Sequence, residues 1–208
     1  MMSETDHDLI ASLAEELAEE IDSATLAGLR ARLVGQAAAS DLLDVVYRTL
    51  DTPVGSLLLA ATPRGLVRIA YAREDHDAVL ARLAGRLSPR VLHAPAQLDG
   101  VARELDEYFA GRRRQFGLAL DFELSHGFRR AVLAHLRDIA YGATESYSAV
   151  AIAAGSPAAV RAVGTACATN PLPIVVPCHR VVRHDGSIGQ YAGGTEAKRL
   201  LLDLEAAA

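Results

Sequence analysis

The sequence contains only two cysteines, Cys167 and Cys178, no tryptophan and a single lysine, Lys198. Two cysteines are too few for a disulfide framework and cannot by themselves build a zinc site. The sequence lacks any run of about 18 uncharged apolar residues, and residues 1–6 are acidic where a secretory signal would be basic. We therefore expect a globular protein of the reducing bacterial cytosol, with no membrane partner.

The net charge of −5 is unevenly distributed. Residues 1–44 carry ten acids and two arginines, whereas residues 45–125 have a net charge of +1 and residues 126–208 have +2. Nucleic-acid binding normally needs a basic surface, because phosphates must be neutralised. Since the acidity belongs to one segment, the net charge does not exclude a nucleic-acid partner for the rest of the chain.

Apolar periodicity predicts three regions. Residues 1–40 form an acidic helical extension, in which leucines recur every three or four residues in two successive helices. These helices could pack on the domain surface, which we favour, or form a partner-binding arm. Residues 41–122 alternate as an α/β (α+β) domain, with a small antiparallel meander of three short strands from Val45, then helices at about 78–87 and 97–110. No chemistry is identifiable in this domain.

Residues 123–208 are predicted to form a mostly α, winged-helix-like domain after a strand-like linker at 116–124. One helix is expected over 127–140. A second opens at Thr144 and ends before Gly155, and Ser156-Pro157 starts a third, because serine caps and proline begins helices well. Helix, glycine turn, helix is the pattern of a helix-turn-helix, although paired helices occur in many α domains.

The run Ile174–Val176 indicates a strand, and Pro177 then fixes the backbone before Cys178 and His179. A thiol beside an imidazole at the end of a rigid element is typical of a nucleophile. A buried structural cysteine with a chance histidine neighbour is the alternative if this motif stands alone.

Further motifs surround this one. Seventeen residues before the cysteine begins the run Arg161-Ala162-Val163-Gly164, and it is followed by Asn170-Pro171. After the cysteine comes the glycine-rich run Gly189-Gln190-Tyr191-Ala192-Gly193-Gly194, and then a leucine-rich helix that ends at Glu205. Together these residues resemble the O6-alkylguanine-DNA alkyltransferases, also called methylated-DNA-protein-cysteine methyltransferases. The resemblance runs from about Tyr47 to Glu205, and from Tyr147 to Gly194 it preserves both motifs and gaps.

The resemblance implies a catalytic group. Cys178 would accept the alkyl group, His179 would take the thiol proton through a water, and Glu205 would orient the imidazole. Asn170 would brace the turn before the cysteine. Glu205 could instead be a surface residue near the chain end, and Asn170 an ordinary residue of an Asn-Pro turn.

The resemblance also implies a DNA-binding helix in the minor groove. Small side chains cannot read base edges but allow close backbone approach, and Arg161 would fill the place of an extruded base. Tyr147 would push on the phosphate beside the lesion. The alternatives are that Arg161 is an ordinary surface arginine and that Tyr147 is a buried core tyrosine. The residues expected to contact DNA or the flipped base are Arg161, Tyr147, Ala159, Ala162, Gly164, Val181, Tyr191 and Gly189; Ala192 replaces a serine that many relatives carry.

The function implied is direct-reversal repair, with an alkyl group moving from O6 of guanine, and more slowly from O4 of thymine, to Cys178. Each molecule would act once, as a monomer on double-stranded DNA of any sequence, without cofactor or metal. One alternative is a sensor that flips lesions for other repair factors, although relatives of that sort lack the cysteine. A thiol hydrolase would need an oxyanion site, for which the sequence gives no signal.

Overall fold

The computed structural model describes residues 23–39 and 43–207, and the chain divides into two compact units, Met1–Leu42 and Leu43–Ala208. In the first unit, helix α1 spans Ser23–Ala39, which confirms the second of the two expected N-terminal helices. The other expected helix, from Asp8, lies outside the described residues. Within the described ranges, no helix is both long enough and apolar enough to cross a membrane.

The second unit begins with a sheet. Strands β1 (Val45–Thr52), β2 (Gly55–Thr62) and β3 (Gly65–Tyr71) form the expected antiparallel meander. A fourth strand, β4 (Val91–His93), pairs parallel to β1, so the order is β3-β2-β1-β4. The sheet is therefore mixed: it contains the predicted antiparallel meander and, in addition, the parallel strand β4, which the sequence did not predict. A strand of three residues is too short to show an alternating pattern in the sequence.

Two helices accompany this sheet, close to where the periodicity predicts them. Helix α2 spans His76–Arg86, and helix α3 spans Asp99–Phe109 after a 3₁₀ turn at Pro95–Leu98. Asp75 caps α2, since its carboxylate accepts hydrogen bonds from two backbone N–H groups of the first turn. Burial of the expected face of α3 turns its tyrosine, Tyr108, into the protein interior.

Strand β2 is buried on both faces. Leu58 and Ala60 pack with Val79 and Leu83 of α2 in one apolar cluster. Because neighbouring strand residues point to opposite faces, Leu57 projects away from that cluster, and it is also fully buried. The rest of the unit therefore covers the far side of the sheet.

The outer edge of β3 joins this sheet to the helical half. Leu66 exchanges backbone hydrogen bonds with Ala119 and Asp121, and the N–H of Ile69 donates to the carbonyl of Pro171 at 2.8 Å. Residues 116–124, the expected strand-like linker, form one isolated bridge, between Leu66 and Leu120, and belong to no strand. This segment follows the strand edge without extending it.

The helical half contains α4 (Gly127–Leu136), the short strand β5 (Glu145–Ser146), α5 (Tyr147–Ala153), α6 (Val160–Ala168), β6 (Val181–Val182) and α7 (Thr195–Ala206). Strands β5 and β6 pair in parallel. The expected class, an α/β domain followed by a mostly helical one, is confirmed. Helix α4 ends four residues earlier than predicted, because the chain tightens after Leu136 into turns closed by i→i−3 hydrogen bonds.

The predicted helix-turn-helix is formed by α5 and α6, with Gly155 at φ +79° between them. Ser146 caps α5 through its side chain, which accepts from the N–H of Ala149 at 3.1 Å. Helix α6 begins at Val160, so the start predicted at Ser156-Pro157 was wrong. The N–H of Ala159 donates to the Ser156 carbonyl, and this closes a separate turn before the helix.

The segment before Cys178 is also different from its prediction. Ile174–Val176 is a series of turns, with Ile174 at φ +75°, and Cys178–Arg180 forms one 3₁₀ turn. Pro171, Pro173 and Pro177 carry no N–H, so this stretch cannot supply the regular donors that a strand ladder needs. The backbone is fixed instead by bonds such as that from the Val176 N–H to the Leu172 carbonyl.

A glycine at the strand edge tests this architecture. Gly65 has φ +135°, and a Cβ there would lie 2.3 Å from the carbonyl oxygen of Ala119. We expect Gly65→Ala to destabilise the protein by about 2 kcal/mol or more, through both strain and collision. Gly85→Ala, in open space on α2, is the control and should stabilise by about 0.5 kcal/mol. Urea unfolding measures both; equal midpoints for the two variants would contradict the packing described.

Candidate active site

Cys178 lies at the start of the 3₁₀ turn, and its side chain is almost entirely buried. Asn170, just after α6, spans the turn between that helix and the cysteine. Its Nδ2 donates to the carbonyl of Val176 at 2.9 Å and lies 3.1 Å from the Cys178 sulfur, while its Oδ1 accepts from the N–H of Leu172. One amide thus fixes the backbone and presents an N–H to the sulfur.

Burial raises the pKa of the Cys178 thiol to about 11, although the hydrogen bond from Asn170 and the positive charge of Lys198 oppose the rise. The resting group is therefore a thiol at neutral pH. Burial likewise raises the pKa of Cys167, which lies on the inner face of α6. A nucleophilic role for Cys178 needs a base that removes the proton as the reaction proceeds.

His179 follows the cysteine and is fully buried. Its Nε2 lies 2.8 Å from Oε1 of Glu205, whereas its Nδ1 is buried with no hydrogen-bond partner in the described part of the chain. Burial lowers the pKa of the imidazole in spite of the nearby carboxylate. The hydrogen bond assigns the proton of the neutral ring to Nε2, so Nδ1 carries a lone pair that can accept a proton.

Glu205, on the last turn of α7, is the acceptor at the centre of the site. Arg180 reaches both of its oxygens, through Nε at 2.8 Å and Nη2 at 2.9 Å. The hydroxyl of Tyr108 donates to Oε1 at 2.7 Å and the N–H of Gly142 to Oε2 at 3.2 Å. Burial opposes ionisation of Glu205, but the hydrogen bonds from His179 and Arg180 outweigh it and lower the pKa to about 2.

The α/β half contributes two tyrosines to this centre, which corrects the expectation that it holds no chemistry. Tyr108 of α3 meets Glu205, and the hydroxyl of Tyr71, at the end of β3, lies 2.9 Å from that of Tyr191. The ring of Tyr191 in turn packs edge-on against His179. In the sequence, nothing separates Tyr71 or Tyr108 from ordinary core aromatics.

The sequence also did not identify two charged residues as members of the site. Arg180 pairs with Glu205, and Lys198 is fully buried, with its Nζ donating to the carbonyl of Val181 at 2.5 Å. Burial lowers the pKa of Lys198, while the cysteines oppose this. The available signal was compositional: this is the one lysine of an arginine-rich chain, placed on an apolar helix beside the motif.

A glycine-rich loop closes over one side of the site. Tyr147, half-buried, lies so close to Gly189 that a Cβ on this glycine would be 2.6 Å from the tyrosine hydroxyl. A Cβ on Gly193 would meet the ring of Tyr71 at the same distance. Close approach of both tyrosines therefore requires glycine at these positions. Val181, which follows the 3₁₀ turn of Cys178, is fully buried.

The remaining predicted residues lie apart from the sulfur, on the outside of α6. Arg161 and Ala162 are exposed, and Ala159 and Gly164 are partly so. Val163, Ala166 and Cys167 face the interior. The structure thus gathers the predicted catalytic residues into one buried group, and of the residues predicted to contact DNA or the flipped base it leaves Arg161 and Ala162 exposed and buries Val181 and Gly189.

Comparisons with known proteins bear on this geometry. Residues 45–122 match the family model described as 6-O-methylguanine DNA methyltransferase, ribonuclease-like domain, and residues 127–207 match the one described as 6-O-methylguanine DNA methyltransferase, DNA binding domain.

Individual relatives match over most of their length. The chain is 38% identical over 161 residues to a methylated-DNA-protein-cysteine methyltransferase of Mycolicibacterium paratuberculosis, which covers 77% of this chain and 92% of that protein. It is 38% identical over 163 residues to the constitutive methyltransferase of that name from Bacillus subtilis, covering 76% and 94%. Mycobacterium tuberculosis OGT, solved in complex with DNA, is similar with a TM-score of 0.66 and 35% identity, covering 78% of this chain and 93% of that one.

The buried carboxylate generates a prediction on stability. We expect Glu205→Gln to destabilise the protein by about 3 kcal/mol at pH 7, because Arg180 would be left buried without its counter-charge. The pKa of Glu205 in the folded protein is below its unfolded value of 4.5. Its stabilising contribution is therefore present above pH 4.5 and lost as the pH falls toward 2. In urea unfolding, the difference in the free energy of unfolding between variant and wild type should become smaller as the pH is lowered from 7 to 3.

A surface ion pair supplies the control. Glu123 is half-exposed and pairs with Arg64 at 3.0 Å. We expect Glu123→Gln to cost less than about 1 kcal/mol at any of these pH values. A Glu205→Gln effect as small as this, or one independent of pH, would show that the buried carboxylate does not hold the site together.

Proposed function

Because this chain belongs to the 6-O-methylguanine DNA methyltransferase family, we propose that it repairs alkylated DNA by direct reversal, with Cys178 as the acceptor of an alkyl group from O6 of guanine. The observation that carries the assignment to Cys178 is its setting. The sulfur lies against the Asn170 amide, and the next residue is a neutral histidine whose Nδ1 is unpaired and whose Nε2 is held by Glu205.

The proposed step is an in-line displacement at the alkyl carbon. The sulfur–carbon bond forms as the bond from carbon to O6 breaks, and the guanine leaves in its ordinary keto form. The thiol proton passes to Nδ1 of His179, in our proposal through one bridging water, and an equivalent proton ends on the guanine ring. Glu205 accepts from Nε2 throughout, so the carboxylate stabilises the imidazolium that forms briefly.

Asn170 and Lys198 act in the same direction. Both lower the pKa of Cys178, one through its N–H at the sulfur and the other through its charge. As negative charge develops on the sulfur, both interactions become stronger, which favours the transition state over the resting thiol. The resulting thioether is stable, and no group in the described part of the chain is placed to cleave it, so we expect one turnover per molecule.

The position of the sulfur requires that the lesion come to it. Cys178 is 2% exposed, and O6 of guanine is covered within a duplex, so the nucleotide must rotate out of the stack. Helix α6 offers the surface for this. Its exposed alanines allow the backbone to approach the minor groove, and Arg161 is exposed where it can fill the gap left by the base.

The loop over the site offers the walls of a base pocket. We propose that Tyr147, Val181, Gly189 and Tyr191 form these walls, since the Tyr147 hydroxyl lies against Gly189 and Tyr147 is close enough to Cys178 to interact with it electrostatically. We propose that Tyr147 contacts the flipped nucleotide and helps to rotate it. The same pocket would accept O4 of thymine more slowly, since a pyrimidine fills less of it.

The sensor alternative is not supported. Relatives that match most of this chain carry the name of the methyltransferase, and the thiol that such a sensor would lack is present. No observation favours a thiol hydrolase: the side-chain amide that lies 3.1 Å from the sulfur belongs to Asn170, and it is already bonded to the backbone carbonyl of Val176. We expect the protein to act as a monomer in the cytosol, binding DNA with little sequence preference.

Mass measurement tests the acceptor. After incubation with a duplex containing O6-methylguanine, we expect the intact protein to gain one methyl group, confined to the peptide that holds Cys178. Cys178→Ser should gain none, because a buried hydroxyl is a much weaker nucleophile than a thiol. Cys167→Ser is the matched control and should be methylated at Cys178 like the wild type. Methyl transfer to Cys178→Ser, or a methyl group on Cys167, would contradict the assignment.

Two substrates test the role of Arg161. We expect Arg161→Ala to slow repair of O6-methylguanine in a duplex by about 100-fold, a loss of about 3 kcal/mol in the flipping step. Reaction with free O6-benzylguanine should be nearly unchanged, because that base needs no flipping. Arg130→Ala, an exposed arginine of α4, is the control and should affect neither rate. Equal losses on both substrates would exclude the proposed role of Arg161.

A further inference from the structure

An arginine-lined cleft lies beside the proposed DNA-binding helix. It has a volume of about 320 Å³, and four arginines line it: Arg68 of β3, Arg82 and Arg86 of α2, and Arg129 of α4. The two arginines of α2 are four residues apart, so they project from one face of that helix. Arginines from three separate elements of the fold thus line one space, which we call the arginine cleft.

The charges in the arginine cleft are poorly balanced. Arg68 pairs with Glu74 and donates to the carbonyl of Asn170 at 3.3 Å. Arg82, Arg86 and Arg129 form no ion pair or hydrogen bond through their side chains within residues 23–39 and 43–207. Glu74 is the one carboxylate among the lining residues. Four cations against one anion leave a charge of about +3, which attracts an anionic ligand.

The arginine cleft continues the exposed face of α6. Ala168 and Thr169, at the end of that helix, line the cleft. Arg161, Thr165 and Ala168 are spaced by four and three residues, so they share one face of the helix. At 1.5 Å per residue, Arg161 and the cleft are about 10 Å apart along the axis. A duplex presents phosphates about every 3.4 Å along each strand, so one bound at Arg161 has phosphates within reach of the cleft.

We propose that the arginine cleft binds a backbone phosphate of the duplex that lies on α6. The proposal rests on the proposed function, because it takes α6 as the surface that meets DNA. Guanidinium groups suit this ligand, since their planar N–H pairs match two phosphate oxygens at once. A protein with a net charge of −5 gains attraction to DNA only where its positive charge is concentrated.

The chemistry alone would equally suit a free phosphate or a nucleotide. The position of the cleft favours the duplex, because the end of α6, the helix proposed to meet DNA, forms part of its rim. A small ligand would not need a site next to that helix. The two sources are separable by experiment, since only a duplex phosphate contributes to the salt dependence of DNA binding.

The test compares two double variants on an undamaged 16-base-pair duplex. Arg82→Gln/Arg86→Gln removes two charges from the cleft, and both residues are exposed, so folding should be retained. Arg103→Gln/Arg112→Gln removes two exposed arginines outside it, on α3 and just after that helix, and is the control. The dissociation constant is measured between 50 and 200 mM NaCl. Each phosphate neutralised adds about 0.9 to the slope of log affinity against log salt.

We expect the cleft variant to lose about 1 from this slope and to bind DNA about 5-fold more weakly at 100 mM NaCl. The control should keep the slope of the wild type. Arg129→Gln, which changes the cleft from a different helix, should shift the slope in the same direction. Slopes for the cleft variants equal to that of the control would overturn the proposal.

A titration with inorganic phosphate, observed through the arginine side-chain NMR signals, covers the other source. Saturation of the cleft together with an unchanged DNA slope would assign it to free anions and overturn the duplex proposal. Reaction with free O6-benzylguanine separates this test from the proposed function. If neither the wild type nor any variant accepted the benzyl group, the alkyltransferase assignment would be refuted. The salt slopes would still show whether the cleft binds DNA. All variants should react with O6-benzylguanine like the wild type.

Discussion

The site depends on the hydrogen bonds and the ion pair that surround the carboxylate of Glu205. This carboxylate is buried, and it accepts hydrogen bonds from Tyr108, Gly142, His179 and Arg180, which come from three separate parts of the chain. A buried carboxylate is costly unless cations and donors surround it. Arg180 supplies the balancing charge, which leaves the imidazole free to remain neutral. The same contact that stabilises the anion therefore keeps His179 in the state that a base requires.

Burial has opposite effects on the sulfur and the imidazole, and together these effects protect the nucleophile. Burial raises the pKa of Cys178 and lowers that of His179, so the resting pair consists of a thiol and a neutral ring. A thiol reacts slowly with unrelated electrophiles. In the proposed reaction, Cys178 becomes a strong nucleophile only when a substrate occupies the site and the thiol proton moves to Nδ1 of His179. A protein that reacts once, as proposed, gains from this restraint, because every side reaction would consume a molecule.

The sequence predicted the helix-turn-helix and the meander well, because their signals are local. Period-2 and period-3.6 patterns and a turn glycine at 155 lie within short windows. The predicted strand before Cys178 failed for a local reason as well, since three prolines outweigh the β-branched residues among them. Strand β4 and the start of α6 at Val160 depend on pairing and turn closure that no local pattern records.

The sequence predicted only some residues of the site, and the reason differs from that for the fold. Cys178 and His179 are neighbours in a motif, and Asn170 and Glu205 were reached through the resemblance. Tyr108 and Arg180 were missed because their role appears only once Glu205 is known to be buried. A charge balance would have found Arg180, since a carboxylate proposed for the interior needs a cation and this arginine follows the histidine directly.

The α/β half is consequently part of the active site as well as its support. Tyr108 donates to Glu205, Tyr71 holds Tyr191 against His179, and Ile69 binds the carbonyl of Pro171, one residue after Asn170. Each contact holds a different part of the site: the buried carboxylate, the tyrosine that packs on His179, and the turn next to Asn170. Displacing α3 would remove a donor from the buried carboxylate, and displacing β3 would loosen the turn that carries Asn170. The reaction proposed at Cys178 therefore requires the two halves to remain packed, because neither half alone contains all the donors that the buried carboxylate accepts from.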